Sequence, residues 1–135
     1  MVKMGWIIGL FLTMYIIATV LGCLSYLLIG PVAMWLSVFT VMPAISAALV
    51  YIYLEKMKFI SEAVLRESMY LAAVWIGLSF GFDALTYIVI IPAVIHTSAN
   101  WTFFRDQSPW IWLSYLILFV SSLAAHNVYA RRFNA

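Results

Sequence analysis

The chain has 135 residues, of which 67% are hydrophobic and 9% charged, with a net charge of +2 and a mean hydropathy of +1.08. A soluble domain carries roughly 25% charged residues to solvate its surface, so the natural solvent for this chain is lipid. Its few Lys and Arg form no cluster that would bind nucleic acid, and the single cysteine, Cys23, excludes an internal disulfide and a multi-cysteine metal site.

No charged residue stands between Lys3 and Glu55. That run is too long for one membrane helix, which needs about 20 apolar residues. Gly30-Pro31 disfavours continuous helix, so a first span is predicted over 4–29 and a second over 32–54, joined as a tight hairpin. Pro43 falls inside the second span and is expected to kink it, neighbouring helices tolerating the freed carbonyl. Lys3 followed by an apolar run resembles a signal peptide, and Val20-Leu21-Gly22-Cys23 resembles a lipoprotein cleavage box. The apolar run continues through Leu24–Ile29 instead of turning polar, so the first span is expected to be retained.

A polar segment follows, in which Glu62 and Arg66 are four apart and pair on a helical turn at the membrane surface, with Ser61 as its N-cap. The third span is predicted over 68–91, apolar except for Asp83, and ends at Pro92. The connection that follows contains His96, Asn100, Trp101, Arg105 and Asp106, and its aromatic content permits it to dip back into the membrane. Ser108 and Pro109 read as N-cap and first residue of a fourth span over 109–129, followed at once by Arg131-Arg132. The expected fold is a single all-α domain over 1–135, an integral membrane antiparallel four-helix bundle.

With four spans, Lys3, Lys56, Lys58, Arg66, Arg131 and Arg132 share one side and Arg105 alone takes the other. That bias makes the first side cytoplasmic, with both termini inside, in the plasma or inner membrane. Trp35, Tyr87, Trp101, Trp110 and Trp112 fall at the expected outer interface, and Trp6, Tyr51, Tyr53, Tyr70 and Tyr129 at the inner one, as aromatic belts do.

Asp83 is the feature that demands an explanation, because an acid in the membrane core costs about 2.5–3.5 kcal/mol on insertion scales. It is expected to face the interior or a wet cavity. Trp75, Ser79, Asp83, Thr86 and Tyr87 lie on one helical stripe, and Ala73, Gly77 and Gly81 form a small-residue stripe on roughly the other side. At about 1.5 Å per residue, Asp83 lies about 20 Å above Met69, in the outer half. Thr19, Gly22, Cys23, Ser37, Thr40, Ser114 and Tyr115 fall near that level, and Tyr15, Thr19, Gly22, Cys23 and Tyr26 share one face. The expectation is a polar pocket around Asp83 that opens outward, where Arg105 or His96 reaches down. Desolvation disfavours a charged carboxylate, so such a site suits a proton, a cation or a basic ligand; the plainer alternative is a structural hydrogen-bond network with Tyr115, Tyr87 or a loop arginine.

His96-x-x-x-Asn100 and Glu62-x-x-x-Arg66 resemble two motifs of the CPBP-type intramembrane proteases, but a membrane span of roughly 45 Å separates them, Ser61 replaces the second acid, and the middle motif is absent. His96 and His126 fall on opposite membrane sides, so one haem cannot bridge them. No other catalytic, metal or phosphate signature is present, and no cofactor is expected. Gly5-x-x-x-Gly9 and Gly77-x-x-x-Gly81 match a helix-packing motif, used within the monomer or in a dimer.

Three functions remain. The first is a non-catalytic assembly, accessory or ligand-binding protein with a buried acidic site at Asp83, working in the lipid bilayer as a homo-oligomer or with a membrane partner. The second is a small transporter or channel subunit that uses Asp83 for a proton or cation. The third is an enzyme acting on a lipid or quinone at the outer interface through His96, Arg105 and Asp106. The residues expected at a ligand or ion site are Asp83, Ser79, Tyr87, Thr19, Tyr115, His96 and Arg105, with no catalytic group assigned.

Overall fold

The computed structural model describes residues 2–133, and its regular elements are all helical. α1 (Val2–Leu28) and α2 (Pro31–Met57) are joined by Ile29 and Gly30. Both amides of this turn donate to the Ser25 carbonyl at 3.1 Å. Gly30 takes a φ of +124° there, a conformation that only glycine adopts without strain. Pro31 then supplies a first helical residue that needs no amide partner. Pro43 lies inside α2 with helix on both sides of it.

α3 (Ser61–Asp83) does not use Ser61 as its N-cap: Ser61 is the first helical residue and Ile60 holds the cap position. The polar stretch from Glu62 to Glu67 is the first part of this helix and not a separate surface turn. α3 also outruns the expected end at Pro92. It passes into a π-helical segment, Ala84–Ile90, and then α4 (Ile91–Val94), making one apolar rod over Glu62–Val94. A proline within such a rod leaves the carbonyl one turn back without its usual donor. Here the Ile88 carbonyl takes the amide of Asn100 at 3.0 Å, and the Pro92 carbonyl takes the amide of Thr97 at 2.8 Å. The chain thus turns back and is pinned to the helix it has just left. α5 (Phe103–Asp106) follows, and α6 (Trp110–Ala130) begins one residue later than expected, with Pro109 at its N-cap.

α1, α2, the Glu62–Val94 rod and α6 are each long and apolar enough to cross a membrane. Their polarity is arranged for lipid. Large apolar side chains such as Ile16, Leu27, Val32, Leu36 and Leu116 are exposed, while Ser46, Ser68, Ser121 and Ser122 are buried. The hydroxyls of Ser46, Ser68 and Ser122 donate to carbonyls one turn back, which satisfies them without water.

α1 packs along α2, α2 along α6, and α6 along α3, while α1 and α3 meet at only a few positions. One end of the body gathers both chain ends. Lys3 pairs with Glu67 at 2.6 Å and Arg132 with Glu55 at 3.1 Å, and the Lys56 ammonium lies over Trp6. This end is tightly filled: Ile7, Phe11, Val50, Tyr53, Leu71 and Trp75 are completely buried. Tyr53 is therefore a core residue and not part of an interfacial belt. The Trp75 indole donates to the Ile7 carbonyl at 3.1 Å, tying α3 to α1.

The small-residue stripe of α3 is not used for packing within the chain. Ala73, Gly77 and Gly81 are exposed, and a Cβ added at Gly5, Gly9, Gly77 or Gly81 meets no atom within 4 Å. Association in lipid rests on close contact and not on expelling water, so the core around Trp75 dominates cohesion at this end. Trp75→Ala is expected to destabilise the fold by about 3–5 kcal/mol, measured by reversible unfolding in mixed micelles, and Trp75→Phe by clearly less.

Candidate functional site

The Asp83 carboxylate is 8% exposed and is held by two tyrosines from other helices. Tyr15 of α1 donates its phenol proton to Oδ1 at 2.8 Å, and Tyr115 of α6 donates to Oδ2 at 2.7 Å. Hydrogen bonds to a charged group are worth about 1.5–3 kcal/mol each. Two of them therefore offset the insertion cost of about 2.5–3.5 kcal/mol for the acid. A carboxylate has about four acceptor positions, so each oxygen keeps one for a further donor.

Asp83 stands at the boundary between the filled half of the body and an empty one. Above the Phe11–Tyr15–Phe82 aromatic cluster, a cavity of about 1040 Å³ extends toward the end that carries the Leu28–Pro31 turn and the loop after α4. Ser79, Asp83 and Tyr87 line it from the third rod, Tyr15, Thr19, Gly22, Cys23 and Tyr26 from α1, Met34 and Trp35 from α2, and Ser114 and Tyr115 from α6. Asp83 is the one charged residue among the described lining residues. Its neighbours are aromatic faces and uncharged hydroxyls. Such faces carry negative potential, so the carboxylate and the rings beside it favour a cation.

The far side of the cavity is lined by the segment Thr97–Phe103 with Gln107, of which Thr97 to Thr102 are exposed. Phe103 is buried and stacks on Tyr87, ring centroids 4.8 Å apart, in a cluster with Ile88, Ile111 and Tyr115. The loop after α4 thus folds back onto the helices and does not stand out from them. On its outer face, Thr102 donates to Asp106 at 2.5 Å and Arg105 contacts the same carboxylate at 3.4 Å. The Thr102 hydroxyl, with Arg105 beside it, holds the Asp106 carboxyl below the usual carboxylate range.

The residues expected at the site therefore separate into two groups. Asp83, Ser79, Tyr87, Thr19 and Tyr115 line one cavity, whereas His96 and Arg105 do not line it. His96 is exposed with a φ of 59°, and Arg105 pairs with Asp106; neither reaches down toward Asp83. Ser37 and Thr40 also turn elsewhere: Ser37 bonds Ser25 at 2.7 Å and Thr40 its own helix. Tyr87 stacks on Phe103 and is not one of the hydrogen-bond partners of Asp83. His126 does not bond Ser122, whose hydroxyl goes to Leu118, and its Nδ1 is buried without a partner. The partner not named in the sequence is Tyr15, read there only as sharing a face with Thr19, Gly22, Cys23 and Tyr26; its phenol reaches the carboxylate from α1. Met34 and Trp35 of α2 also line the cavity and were not named at the site.

Among the described residues no three His, Cys, Asp or Glu side chains converge as metal ligands would. Fold and site together define an all-helical protein with four membrane-length apolar helices around a cavity that holds a single carboxylate. No family model, curated protein or solved structure matches the chain.

Two measurements probe this geometry. Tyr15→Phe and Tyr115→Phe each remove one phenol–carboxylate bond, and each is expected to destabilise the protein by about 1.5–3 kcal/mol in micelle unfolding, with less than additive loss in the double variant. For Asp106, a depressed folded pKa means that its contribution is present above the unfolded value of about 3.9 and is lost as pH falls through the lower folded value. Thr102→Val is expected to raise the midpoint of the Asp106 carboxyl carbon shift toward about 3.9, followed by NMR.

Proposed function

We propose that this chain is a non-catalytic integral membrane protein that binds a basic small molecule at Asp83. In this reading it is an antiparallel four-helix bundle of the plasma or inner membrane with both termini cytoplasmic. The meeting of Lys3, Glu55, Lys56, Glu67 and Arg132 at one end and the positive-inside bias support that orientation. The observation that carries the reading is a cavity of about 1040 Å³ in which Asp83 is the one charged residue described. Ligand cavities generally span about 300–1,000 Å³ and are apolar with a few placed polar groups. An organic ammonium placed there pairs with the carboxylate and lies against Tyr87, Trp35 and Tyr115, combining ion pairing with cation–π attraction.

The transport alternative needs a path beyond Asp83, and the buried block of Phe11, Leu71 and Trp75 stands in that direction. The enzyme alternative depends on His96, Arg105 and Asp106, which lie outside the cavity lining. Ligand binding follows most directly from the geometry.

The test compares benzyltrimethylammonium with its neutral carbon isostere, neopentylbenzene, by calorimetry on protein in nanodiscs. The charged compound is expected to bind at least about tenfold more tightly, and Asp83→Asn to erase that difference while leaving the helical signal unchanged. Equal binding of the two compounds to the wild type removes the reading.

A second reading concerns assembly. The exposed Gly77 and Gly81, with open space above both, leave a face on which a second copy can pack closely in lipid. Gly77→Leu with Gly81→Leu is expected to lower the dimer fraction in cross-linking in bilayers if the homo-oligomer forms there; an unchanged fraction removes this face as the contact.

A further inference from the structure

The mouth of the cavity has an unusual position. At the level of Asp83 and below, α1 and α3 are tied together by the Tyr15–Asp83 bond, the Phe11–Phe82 ring contact and the Trp75–Ile7 bond. Beyond Asp83, among the described residues, no ring contact links the last turns of α1 to the π-helical segment or α4, yet residues of both elements line the same cavity. The gap between them is flanked by Tyr26 and Leu27 on one side and Ile91 and Ile95 on the other, exposed by 52%, 76%, 40% and 61% respectively. All four are apolar or aromatic. A mouth that opens to water is rimmed by polar and charged groups; a rim of this composition along two membrane-length helices faces hydrocarbon.

The other boundary is polar. The segment from Thr97 to Phe103 is anchored by the Asn100 and Thr97 amides on the Ile88 and Pro92 carbonyls and by the Phe103 ring on Tyr87. Thr97, Ser98, Asn100 and Thr102 of this segment line the cavity and are exposed, so the cavity has a polar margin here and an apolar one between α1 and α4, as an amphiphile requires.

We infer that the ligand is a single-chain lipophilic amine that reaches Asp83 from the bilayer through the gap between α1 and α4. The ammonium passes to the carboxylate at the floor of the cavity, and the tail lies in the gap, where Leu27, Ile91 and Ile95 meet it as lipid would. This rests on the reading of Asp83 as a cation site and adds the ligand class and its route.

Cys23 reports on the site, because it lines the cavity at this gap and is the chain's single cysteine. The experiment follows the rate at which N-ethylmaleimide modifies Cys23 in proteoliposomes. Dodecylamine, at a low mole fraction of the lipid, is expected to slow modification about tenfold. Dodecanol at the same mole fraction, and butylamine in the aqueous phase up to millimolar concentration, are expected to leave the rate unchanged. Ile91→Trp, which adds bulk at the gap, is expected to reduce the protection by dodecylamine. Asp83→Asn is expected to abolish it, and the rate without amine shows whether that variant keeps the wild-type fold. The dodecylamine–dodecanol comparison on the wild type stands even if the variants misfold. Protection by butylamine equal to that by dodecylamine overturns the bilayer route and leaves the cation site intact. Equal protection by dodecanol, or none by either amine, overturns the cation site itself.

Discussion

A lone carboxylate inside four apolar helices must be served by donors, and the way Asp83 is served organises the rest of the molecule. Its partners come from two different helices, so satisfying the acid brings α1 and α6 to α3 at one level. In lipid there is little hydrophobic gain from bringing helices together, and directional bonds of this kind therefore weigh more in choosing which faces meet. Each tyrosine takes one oxygen of the carboxylate, and Asp83 itself lines the cavity the three helices share. The interaction that stabilises the fold is thus also the floor of the site.

The two ends of the body are filled differently. Toward the chain termini, Trp75 and its neighbours fill the interior, and Lys3, Glu67, Glu55 and Arg132 close it with ion pairs. Toward the other end, the aromatic side chains stand around a space instead of filling it. The backbone there is irregular: a π-helical segment lies between Asp83 and Pro92, and the carbonyls near the proline are served by the loop. Segments of this kind are frequent at functional sites. Here the segment turns Tyr87 toward Phe103 and leaves Asn100 over the helix end, so the proline in the sequence and the roof over the cavity are one feature.

Some of the site was legible and some was not, for reasons that differ residue by residue. Helical spacing alone aligned Trp75, Ser79, Asp83 and Tyr87, and the cost of an intramembrane acid required that this face point inward; these residues are the inward face of the third rod. Tyr115 followed from its depth on the last span. Tyr15 did not, because depth was judged from backbone rise and a phenol reaches beyond its own turn. His96 and Arg105 were drawn to the acid by their chemistry, but a loop's path is decided by its backbone hydrogen bonds, and those of Asn100 and Thr97 hold it in a course that leaves both side chains outside. The glycines of the third span were read as a packing face, within the chain or in a dimer; they face outward, since the same stripe pattern serves a neighbour helix of any origin.

The sequence by itself determined that four apolar helices form, where Gly30-Pro31 divides the first pair, and that Asp83 must be buried among donors. Each of these follows from local chemistry: hydropathy over a span, a backbone conformation open to glycine, and the cost of a charge in hydrocarbon. Only the tertiary structure decided which donors serve the acid, that a cavity of about 1040 Å³ remains beside it, and that the loop after α4 and the last turns of α1 line that cavity together. Those outcomes depend on how faces of distant segments fit once they are packed, and on the Ile88 carbonyl, released by Pro92, finding the amide of Asn100 twelve residues further along the chain. Periodicity records which side of a helix is unusual, but not which side chain from another helix will meet it.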